Sequence, residues 1–546
     1  MKFKRLIGAG LATVLAMSMI ACGAKEQAPA DGAAEGEAAS QEEQMEAAGI
    51  QTANAETGNT EKTDETVTIL LSGYPDYFWH VGAANMGTNE EQIVNSCTLD
   101  RLVDYDEVTN ELKPMLATSW ETSEDGKTFT FHLRDDVKMS DGTPLVADDV
   151  VYTVNTWIEQ CASNDTGKYL EKADKIDDQT VSITFNCSAP ESLKLLSWSN
   201  FGIVSEDEIN AIGGLEAASQ NPTMGSGKYK FKEAKVGEYI ILERNEDYWD
   251  PDYFGYFKTI KFIPVADSNS KVQAVLSGDA QVAYDMPVSQ AATFATNQDA
   301  RTYVYTNGEV EHLFYNMQEG HATSDIRVRQ AIQKALDFDA IAQVATAGFG
   351  KVAYAYVDES ATYYQADETP EDKVRDVEGA KALLAEAGYD ESNPLHIVCV
   401  TIADQVDLYT VIQANLKEVN VDLEIQQVDM GGFVPAMLFE KSYDIAAIGD
   451  NCIFRTPTLS QFVCEGVVFG GPAIVMEDHV ALLNTLMEAK DDAAAKEALA
   501  AYDAQLKEDT MCTNMYGALK ASIVGKDIKG FSVRERAYID ATTLYK

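Results

Sequence analysis

The sequence predicts an α/β protein, because segments with the period of strands alternate along the chain with segments that have the period of helices. Residues 181–185 alternate apolar and polar side chains, as a half-buried strand does. Residues 147–158 place apolar side chains three or four positions apart, and Asp148 and Asp149 stand in the first turn, where the helix dipole favours acidic groups. Residues 395–400 form an apolar run interrupted only by His396, which is typical of a strand in a parallel sheet.

The same patterns predict further elements on both sides of these three. A strand is predicted at 67–71, and the Asp125-Gly126 pair predicts a hairpin turn between residue 120 and residues 129–133. The remaining predictions are a helix over 328–345, a helix over 380–387 closed by Gly388, a helix over 408–419 and a strand over 421–425.

The first 22 residues have the composition of an export signal. Lys2, Lys4 and Arg5 precede an apolar stretch from Leu6 to Ala21, which is shorter than the roughly 20 residues of a membrane span. Met19-Ile20-Ala21-Cys22 resembles a bacterial lipobox, although Leu is more usual than Met at the first of these positions. We therefore expect lipidation of Cys22, with plain cleavage near Ala21 and free secretion as the alternative.

Residues 23–66 are predicted to be a disordered acidic tether. They contain eleven acidic and two basic residues and very few large apolar side chains, so they bury too little surface to offset the entropy lost on ordering. A tether after a lipidated Cys22 would hold a folded body away from the membrane.

The net charge excludes several functions for that body. The chain of 546 residues has a formal charge of −46, and residues 67–546 account for −40, with 37 basic and 77 acidic residues. This charge argues against binding of nucleic acid and against a polybasic membrane surface, so we expect membrane contact through the lipid anchor only. It remains compatible with cationic ligands.

The sequence contains no recognisable catalytic or metal motif. The histidines lack HxxxH or HExxH spacing, Gly-x-Ser-x-Gly and P-loop patterns are absent, and no CxxC occurs. Seven cysteines follow Cys22, among which Cys452 and Cys464 could bridge a loop, the alternative being buried thiols. We therefore expect no enzyme activity, no cofactor and no metal; a secreted hydrolase is the least favoured alternative.

Eleven short segments follow one another in a recognisable order. They are 99–105, 113–120, 125–134, 137–144, 149–153, 224–229, 243–249, 274–278, 314–316, 328–332 and 380–389. In this order they resemble motifs of the extracellular solute-binding proteins of the oligopeptide and dipeptide class, known as family 5. The resemblance extends from about residue 67 to the C-terminus; each segment alone is weakly specific, but together they are strongly specific.

The resemblance implies a two-lobed periplasmic-binding-protein fold of type II, with a hinge and an extra subdomain on lobe I. The lobes would close over a ligand bound between them. The expected boundaries are 67–98, 218–308 and 513–546 for lobe I, 99–217 for the extra subdomain and 309–512 for lobe II.

The resemblance also implies a function. We expect a monomeric lipoprotein on the outer face of the bacterial cytoplasmic membrane, or in the periplasmic space, that captures a peptide and delivers it to an ABC importer permease with its ATPase subunits. The alternatives are a non-peptide solute, such as an oligosaccharide, a metal chelate or haem, and a ligand-sensing receptor.

Four aromatic residues follow the first predicted strand, and ligands in α/β folds bind at the carboxyl ends of strands. They are candidates for stacking on a ligand, with packing at the edge of the lobe as the alternative: Tyr74, Tyr77, Phe78 and Trp79.

A second group of candidates comes from residues 443–449, which resemble a strand of the family. In the peptide-binding members this strand leads to an Asp that stands four residues before a Pro and binds the α-ammonium of the peptide. Pro457 matches that Pro, but Ile453 then occupies the Asp position and Asp450 the usual Trp position. Arg455 adds a guanidinium suited to a carboxylate. The predicted ligand-binding residues in this loop are Asp450, Asn451, Phe454 and Arg455.

Overall fold

The computed structural model describes most of the chain from residue 41 onwards. The described residues are 41–51, 53–54, 61–75, 78–79, 88–106, 111–160, 169–188, 190–220, 225–252, 254–361, 363–365, 373–451, 474–534 and 538–546. The predicted signal segment, including Cys22, and the first part of the predicted tether lie outside these residues, as do Cys161, Cys452 and Cys464.

Lobe I contains a twisted mixed sheet that is covered on both faces. Its strands are β1 (Ile50–Gln51), β2 (Thr66–Leu71), β9 (Tyr229–Lys235), β10 (Tyr239–Arg244), β11 (Thr259–Pro264), β12 (Val282–Met286), β13 (Ala300–Tyr315) and β17 (Cys512–Gly525). The strand order is β1-β13-β17-β12-β2-β11-β10-β9, in which β2 runs parallel to both β11 and β12. The helices of this lobe are α1 (Gln41–Ala47), α2 (Asn89–Thr98), α6 (Ser268–Ser277) and α7 (Val288–Ala292).

The extra subdomain has its own antiparallel sheet. Its strands are β3 (Val103–Asp106), β4 (Glu111–Pro114), β5 (Ala117–Thr122), β6 (Thr128–Leu133), β7 (Leu170–Asp177) and β8 (Thr180–Phe185), of which β5-β6-β8-β7 form one sheet. Its helices are α3 (Ala147–Gln160), α4 (Glu206–Ala211) and α5 (Leu215–Ser219). The apolar face of α3 packs on this sheet, and Trp157 stacks on Phe201 with ring centroids 4.7 Å apart.

Lobe II is built around the second half of β13 and the first half of β17, which pair antiparallel. Its other strands are β14 (Leu395–Thr401), β15 (Val421–Gln427) and β16 (Ile445–Asn451), and its helices are α8 (Ile326–Ala335), α9 (Phe338–Ala345), α10 (Val377–Glu386), α11 (Val406–Lys417), α12 (Met430–Pro435), α13 (Glu477–Met487) and α14 (Asp492–Asp509). β16 pairs antiparallel with β13, and β14 pairs parallel with β15. Short 3-10 segments occupy Pro190–Ser197, Ser199–Phe201, Ala322–Ser324, Ala403–Gln405 and Ala541–Thr543, and a π-helical turn occupies Ala436–Glu440.

The structure confirms most of the predicted elements. The predicted hairpin is β5 and β6, joined by a turn in which Gly126 has a φ of 73°. The parallel pairing predicted from the apolar run 395–400 is that of β14 with β15. Gly388 follows α10 with a φ of 96°, a left-handed conformation that glycine adopts without a Cβ clash.

The single helix predicted over 328–345 is wrong, because the structure has two helices there. Leu336 is extended, with a ψ of 139°, and ends α8. The side chain of Asp337 then accepts a hydrogen bond from the Ala340 amide and caps α9. An aspartate cap satisfies backbone N–H groups at a helix start, which favours a new helix over continuation of the old one.

The predicted tether over 23–66 differs from the structure at its C-terminal end. Ile50 is 3% exposed within the lobe I core, and β1 pairs with β13 through Ile50 and Thr302. The side chain of Asn54 accepts a hydrogen bond from the Val533 amide at 2.8 Å. Burial of Ile50 and these hydrogen bonds attach part of the acidic segment to lobe I.

Several motif residues hold the frame together. The buried carboxylate of Asp100 accepts hydrogen bonds from the Ser226 hydroxyl at 2.9 Å, the Tyr248 hydroxyl at 3.1 Å and the Trp249 indole N–H at 2.9 Å. Three segments that are distant in sequence therefore meet at one carboxylate. Burial without these donors would be costly for a charged group.

A second buried charge connects two parts of lobe II. The Arg329 guanidinium donates to the carbonyl oxygens of Thr323 and Ser324, before α8, and to those of Asp509 and Thr510, at the end of α14. These carbonyls have no partner within a helix, so a guanidinium with five donors suits the site.

The described cysteines are buried thiols. Cys97, Cys187, Cys399 and Cys512 are all buried, and burial raises the pKa of Cys97 and Cys399. Within the described part of the chain, no helix is both long and apolar enough to cross a membrane.

Gly225 and Gly227 shape the backbone next to the Asp100 site. Gly225 has a φ of 99°. A Cβ at Gly227 would lie 2.4 Å from the carbonyl carbon of Thr98 and 2.6 Å from the carbonyl oxygen of Cys97.

We expect Gly227→Ala to lower the free energy of unfolding by about 1–3 kcal/mol, because the methyl group would contact backbone atoms that have little room to move. The control is Gly73→Ala, since a Cβ at Gly73 meets nothing within 4 Å. Urea denaturation followed by tryptophan fluorescence compares the two, and equal midpoints would show that the close approach is not needed.

Candidate functional site

The two lobes are connected by β13 and β17. These strands pair with each other, and both extend from one lobe into the other. Tyr303 and Tyr305 of β13 pack in the lobe I core, whereas Leu313 and Tyr315 of the same strand pack in the lobe II core. The ladder is irregular between Thr306 and Val310 of β13, opposite the Gly517–Leu519 segment of β17. An interrupted ladder between two separately packed halves is the geometry of a hinge.

The crossing has two faces with different chemistry, because side chains alternate along strands. The cross-strand pairs Tyr305 with Lys520 and Glu311 with Tyr516 lie on one face, which we call the cleft face. The pairs Thr306 with Leu519 and Val310 with Gly517 lie on the other face, which we call the back face.

The cleft face meets lobe II at the end of β16 and at the loop after β14. A Cβ at Gly449 would lie 3.1 Å from Oε2 of Glu311 and 3.3 Å from Oε2 of Glu309. The Gln405 amide donates a hydrogen bond of 3.2 Å to Oε1 of Glu311. The carboxyl ends of these strands are where α/β proteins bind ligands.

On the lobe I side, the cleft face meets the end of β2. The Ser72 hydroxyl lies 3.3 Å from Oδ2 of Asp285, and the Lys271 ammonium donates to the same hydroxyl at 2.9 Å. Lys520 of the hinge lies 3.5 Å from Oδ1 of Asp285. The carboxylate of Glu90 accepts a backbone hydrogen bond from Gly73. Both lobes therefore bring ionisable groups to the same place.

The carboxylates of this cluster outnumber its ammonium groups and have perturbed ionisation. Burial raises the pKa of Glu311 to about 8; the nearby Glu309 raises it as well, and Lys520 opposes the shift. Burial is also the main cause of the raised pKa of Glu90. With a pKa of about 8, Glu311 holds a proton at neutral pH, and a cation nearby would favour its ionised form.

The structure separates the predicted aromatic residues into two groups. Tyr74 is half-buried and meets Phe78 edge to face, with ring centroids 6.4 Å apart. Phe78 is 2% exposed in the lobe I core. Trp79 is 1% exposed and donates its indole N–H to the Gly202 carbonyl at 3.2 Å. Packing therefore accounts for Phe78 and Trp79, and Tyr77 lies outside the described residues.

The structure describes only the first two of the predicted ligand-binding residues in the loop after β16. The backbones of Asp450 and Asn451 end β16 and pair with Val310 and Glu309. This places the start of the loop beside the hinge; Phe454, Arg455 and the preceding Ile453 lie outside the described residues, as does Pro457.

The charged residues of the cleft face are not among the candidates predicted from the sequence. Their one local signal is the pair Glu309 and Glu311, two positions apart in a strand and thus on one face. In a chain with 88 acidic residues this spacing carries little information by itself. Asp285 and Lys520 are far from Glu309 and Glu311 in sequence, and only the tertiary structure brings them near this pair.

Histidines and possible metal ligands do not form a site in the described part of the chain, where no group of three His, Cys, Asp or Glu residues could hold a metal ion. His321 pairs with Asp444 at 2.8 Å within lobe II. His312 stacks on Tyr356, and burial lowers its pKa to about 3, so it is neutral at physiological pH.

Two α/β lobes joined by a strand hinge, with a polar cleft between them, define the class of two-lobed solute-binding proteins. The sequence model of the bacterial extracellular solute-binding proteins, family 5, middle region, matches residues 111–457. The chain belongs to this family.

Relatives with known names support the assignment. Periplasmic oligopeptide-binding protein OppA of Salmonella typhimurium is 24% identical over 463 residues, which cover 79% of this chain and 83% of OppA. The dipeptide-binding protein of Escherichia coli is 27% identical over 368 residues, covering 61% of this chain and 67% of that protein.

Solved structures share the fold. NikA from Brucella suis in complex with Fe(III)-EDTA has a TM-score of 0.76 at 19% identity, covering 88% of this chain and 98% of that chain. The dipeptide-binding protein from Pseudoalteromonas sp. SM9913 in complex with Met-Leu also has a TM-score of 0.76 at 19% identity, covering 88% of this chain and all of the other.

We expect Glu311→Gln to change how stability depends on pH. In the unfolded chain the carboxyl has its ordinary pKa of about 4.5, and in the folded protein its pKa is about 8. Between these values the folded state keeps a proton that the unfolded state loses, so the free energy of unfolding falls as pH rises. The glutamine variant has no such proton, so it should not show this fall in the free energy of unfolding, which is on the order of a few kcal/mol by pH 8.

Urea denaturation at pH 5, 6, 7 and 8 measures the difference. The stability gap between Glu311→Gln and the unchanged protein should widen toward pH 8, whereas Glu319→Gln, at an exposed position, should show a constant gap. A constant gap for Glu311→Gln as well would mean that Glu311 is ionised throughout the range.

Proposed function

We propose that this protein captures a peptide between its two lobes and delivers it to an ABC importer. The observation that carries the proposal is the similarity to an oligopeptide-binding protein over 79% of the chain. A dipeptide-binding protein and AppA, an oligopeptide-binding protein of Bacillus subtilis, are also similar. Binding and closure explain the hinge and the cleft without any chemical step, so the proposal includes no catalysis.

In this proposal the lobes meet where the β13–β17 ladder is irregular, between Thr306 and Val310 of β13. Lobe I comprises residues 67–98, 218–308 and the C-terminal segment, the extra subdomain residues 99–217, and lobe II begins at 309. The expected change from lobe II to lobe I at 513 is moved to about 518, because Met515 and Tyr516 pack in the lobe II core.

The candidate ligand groups combine the sequence candidates with the cleft face. Tyr74 and the loop with Asp450, Asn451, Phe454 and Arg455 remain proposed contacts, and Arg455 would pair with a ligand carboxylate. Asp285, Glu309 and Glu311 would favour a ligand with a positive charge, such as the α-ammonium or a basic side chain of a peptide.

Partners and location follow from the same role. A permease in the membrane would bind the closed lobes, and ATPase subunits would drive transport; the binding protein acts as a monomer. We propose that lipidated Cys22 holds it at the outer face of the cytoplasmic membrane. A non-peptide solute is the second candidate, because the similar proteins include a nickel-binding periplasmic protein.

We expect short peptides to raise the thermal stability of the protein, and peptides with a lysine to do so more than peptides with a glutamate. A ligand at 100 times its Kd adds about 2.7 kcal/mol to the free energy of unfolding. A thermal-shift panel should therefore compare di- to hexapeptides with oligosaccharides and metal chelates, using protein freed of bound solute by unfolding and dialysis.

Arg455→Ala is included in that panel, and we expect it to weaken peptide binding by about tenfold while its unliganded melting temperature stays unchanged. Its matched control is Arg327→Ala, at an ion-paired surface position of lobe II. Stabilisation by a sugar or a chelate with no response to any peptide would contradict the peptide proposal.

Cys22→Ala should release the protein from the membrane, because it removes the thiol to which lipid would be attached. Metabolic labelling with an alkyne fatty acid and fractionation of cells measure this. Label and membrane association in the unchanged protein, both lost in the variant, are expected; equal membrane association of both proteins would contradict the lipid anchor.

A further inference from the structure

A separate cavity lies on the back face of the hinge. Its volume is about 300 Å³. The hinge strands contribute Thr306, Val310, Gly517 and Leu519. These are the back-face residues that flank the irregular part of the β13–β17 ladder. Residues 351–354 and 357–360 and Tyr364, all of lobe II, form the rest of the described wall.

The cavity is distinct from the cleft, because the hinge strands lie between them. Glu311 and Lys520 point to the cleft face, whereas their neighbours Val310 and Leu519 line the cavity. The opposite wall is fixed to the edge of β17, since the Gly517 amide donates to the Lys351 carbonyl at 3.2 Å and the Ala353 amide donates to the Met515 carbonyl at 3.2 Å.

The described part of the cavity wall contains three charged residues, Lys351, Asp358 and Glu359. Among these three, the carboxylate of Asp358 has no cationic partner. Lys351 pairs with Glu359 at 3.2 Å. Asp358 accepts hydrogen bonds at Oδ1 from the amide and the hydroxyl of Ser360. Its Oδ2 lies 3.4 Å from the position of a Cβ on Gly517, and so faces the cavity where the hinge strand has no side chain.

The rest of the wall suits an apolar group. Val310, Val352, Val357 and Leu519 provide aliphatic surface, and Tyr354 and Tyr364 add aromatic rings. A volume of this size equals that of about ten water molecules in the liquid, which corresponds to a molecule of about ten non-hydrogen atoms. Small-molecule sites combine such an apolar wall with a few polar groups that fix the orientation.

We propose that this back-face cavity is a second binding site, which takes a small organic amine with its ammonium group on Oδ2 of Asp358 and its apolar body against the hinge strands. An ammonium pairs with a carboxylate and is attracted by tyrosine rings, whereas an anion would be repelled by Asp358 and Glu359. The site does not depend on which solute the cleft binds.

The probe is phenethylamine, with 2-phenylethanol as its neutral counterpart of similar shape and 3-phenylpropionate as an anion. Saturation-transfer NMR titrations on the full chain, freed of bound solute, measure the three affinities. We expect phenethylamine to bind with a Kd in or below the millimolar range, and the other two probes to bind at least about tenfold more weakly.

Two variants test the location. Asp358→Asn keeps an Oδ1 acceptor for Ser360 and removes the charge, so it should weaken phenethylamine binding by about tenfold or more. Gly517→Val fills the cavity from the hinge strand, where a Cβ has ordinary contacts, and should abolish binding. Each variant should keep the melting temperature of the unchanged protein, which shows that it is folded.

Glu311→Gln is the matched control, because it makes the same acid-to-amide change on the cleft face. It should leave phenethylamine binding unchanged. The proposal is overturned if no binding occurs up to about 10 mM, if the alcohol binds as well as the amine, or if Glu311→Gln weakens binding while the folded Asp358→Asn and Gly517→Val variants do not. These outcomes are independent of the peptide panel, which reports on the cleft.

Discussion

The pairing of β13 with β17 is the constraint on which both lobes depend, because the two strands run side by side from the core of lobe I into the core of lobe II. Each half is held by burial in its own lobe, and the ladder is irregular only near the crossing. Bending there costs few hydrogen bonds, since those bonds are already interrupted. Strand alternation also gives the crossing two faces, so the chemistry of the cleft and that of the back-face cavity are set by neighbouring residues.

The electrostatics of the cleft follow from bringing carboxylates of both lobes to one poorly solvated place. A buried carboxylate near another one keeps its proton, as the raised pKa of Glu311 shows. Lys520, Lys271 and Gln405 offset part of the cost of burial by ion pairing and hydrogen bonding. A positively charged solute near Glu311 would favour its ionised form, so binding of that solute would be linked to proton release from Glu311.

The motif residues that identify the family mostly hold the frame. Asp100 joins three segments, Arg329 connects the start of α8 to the end of α14, and Gly227 permits close contact with the backbone at Thr98. None of these groups needs a solute to satisfy it.

The sequence by itself determined the fold class, most elements and the family, because periodicity, turn residues and short motifs are local properties of the chain. It also indicated the strand ends beside the cleft through Tyr74 and Asp450. The tertiary structure decided what local pattern does not contain. It showed that Asp337 divides a predicted helix, that Ile50 attaches part of an acidic segment to lobe I, and that Phe78 and Trp79 pack inside. It also brought Glu311, Asp285 and Lys520 together from distant segments, since proximity across a hinge depends on the pairing of strands far apart in sequence.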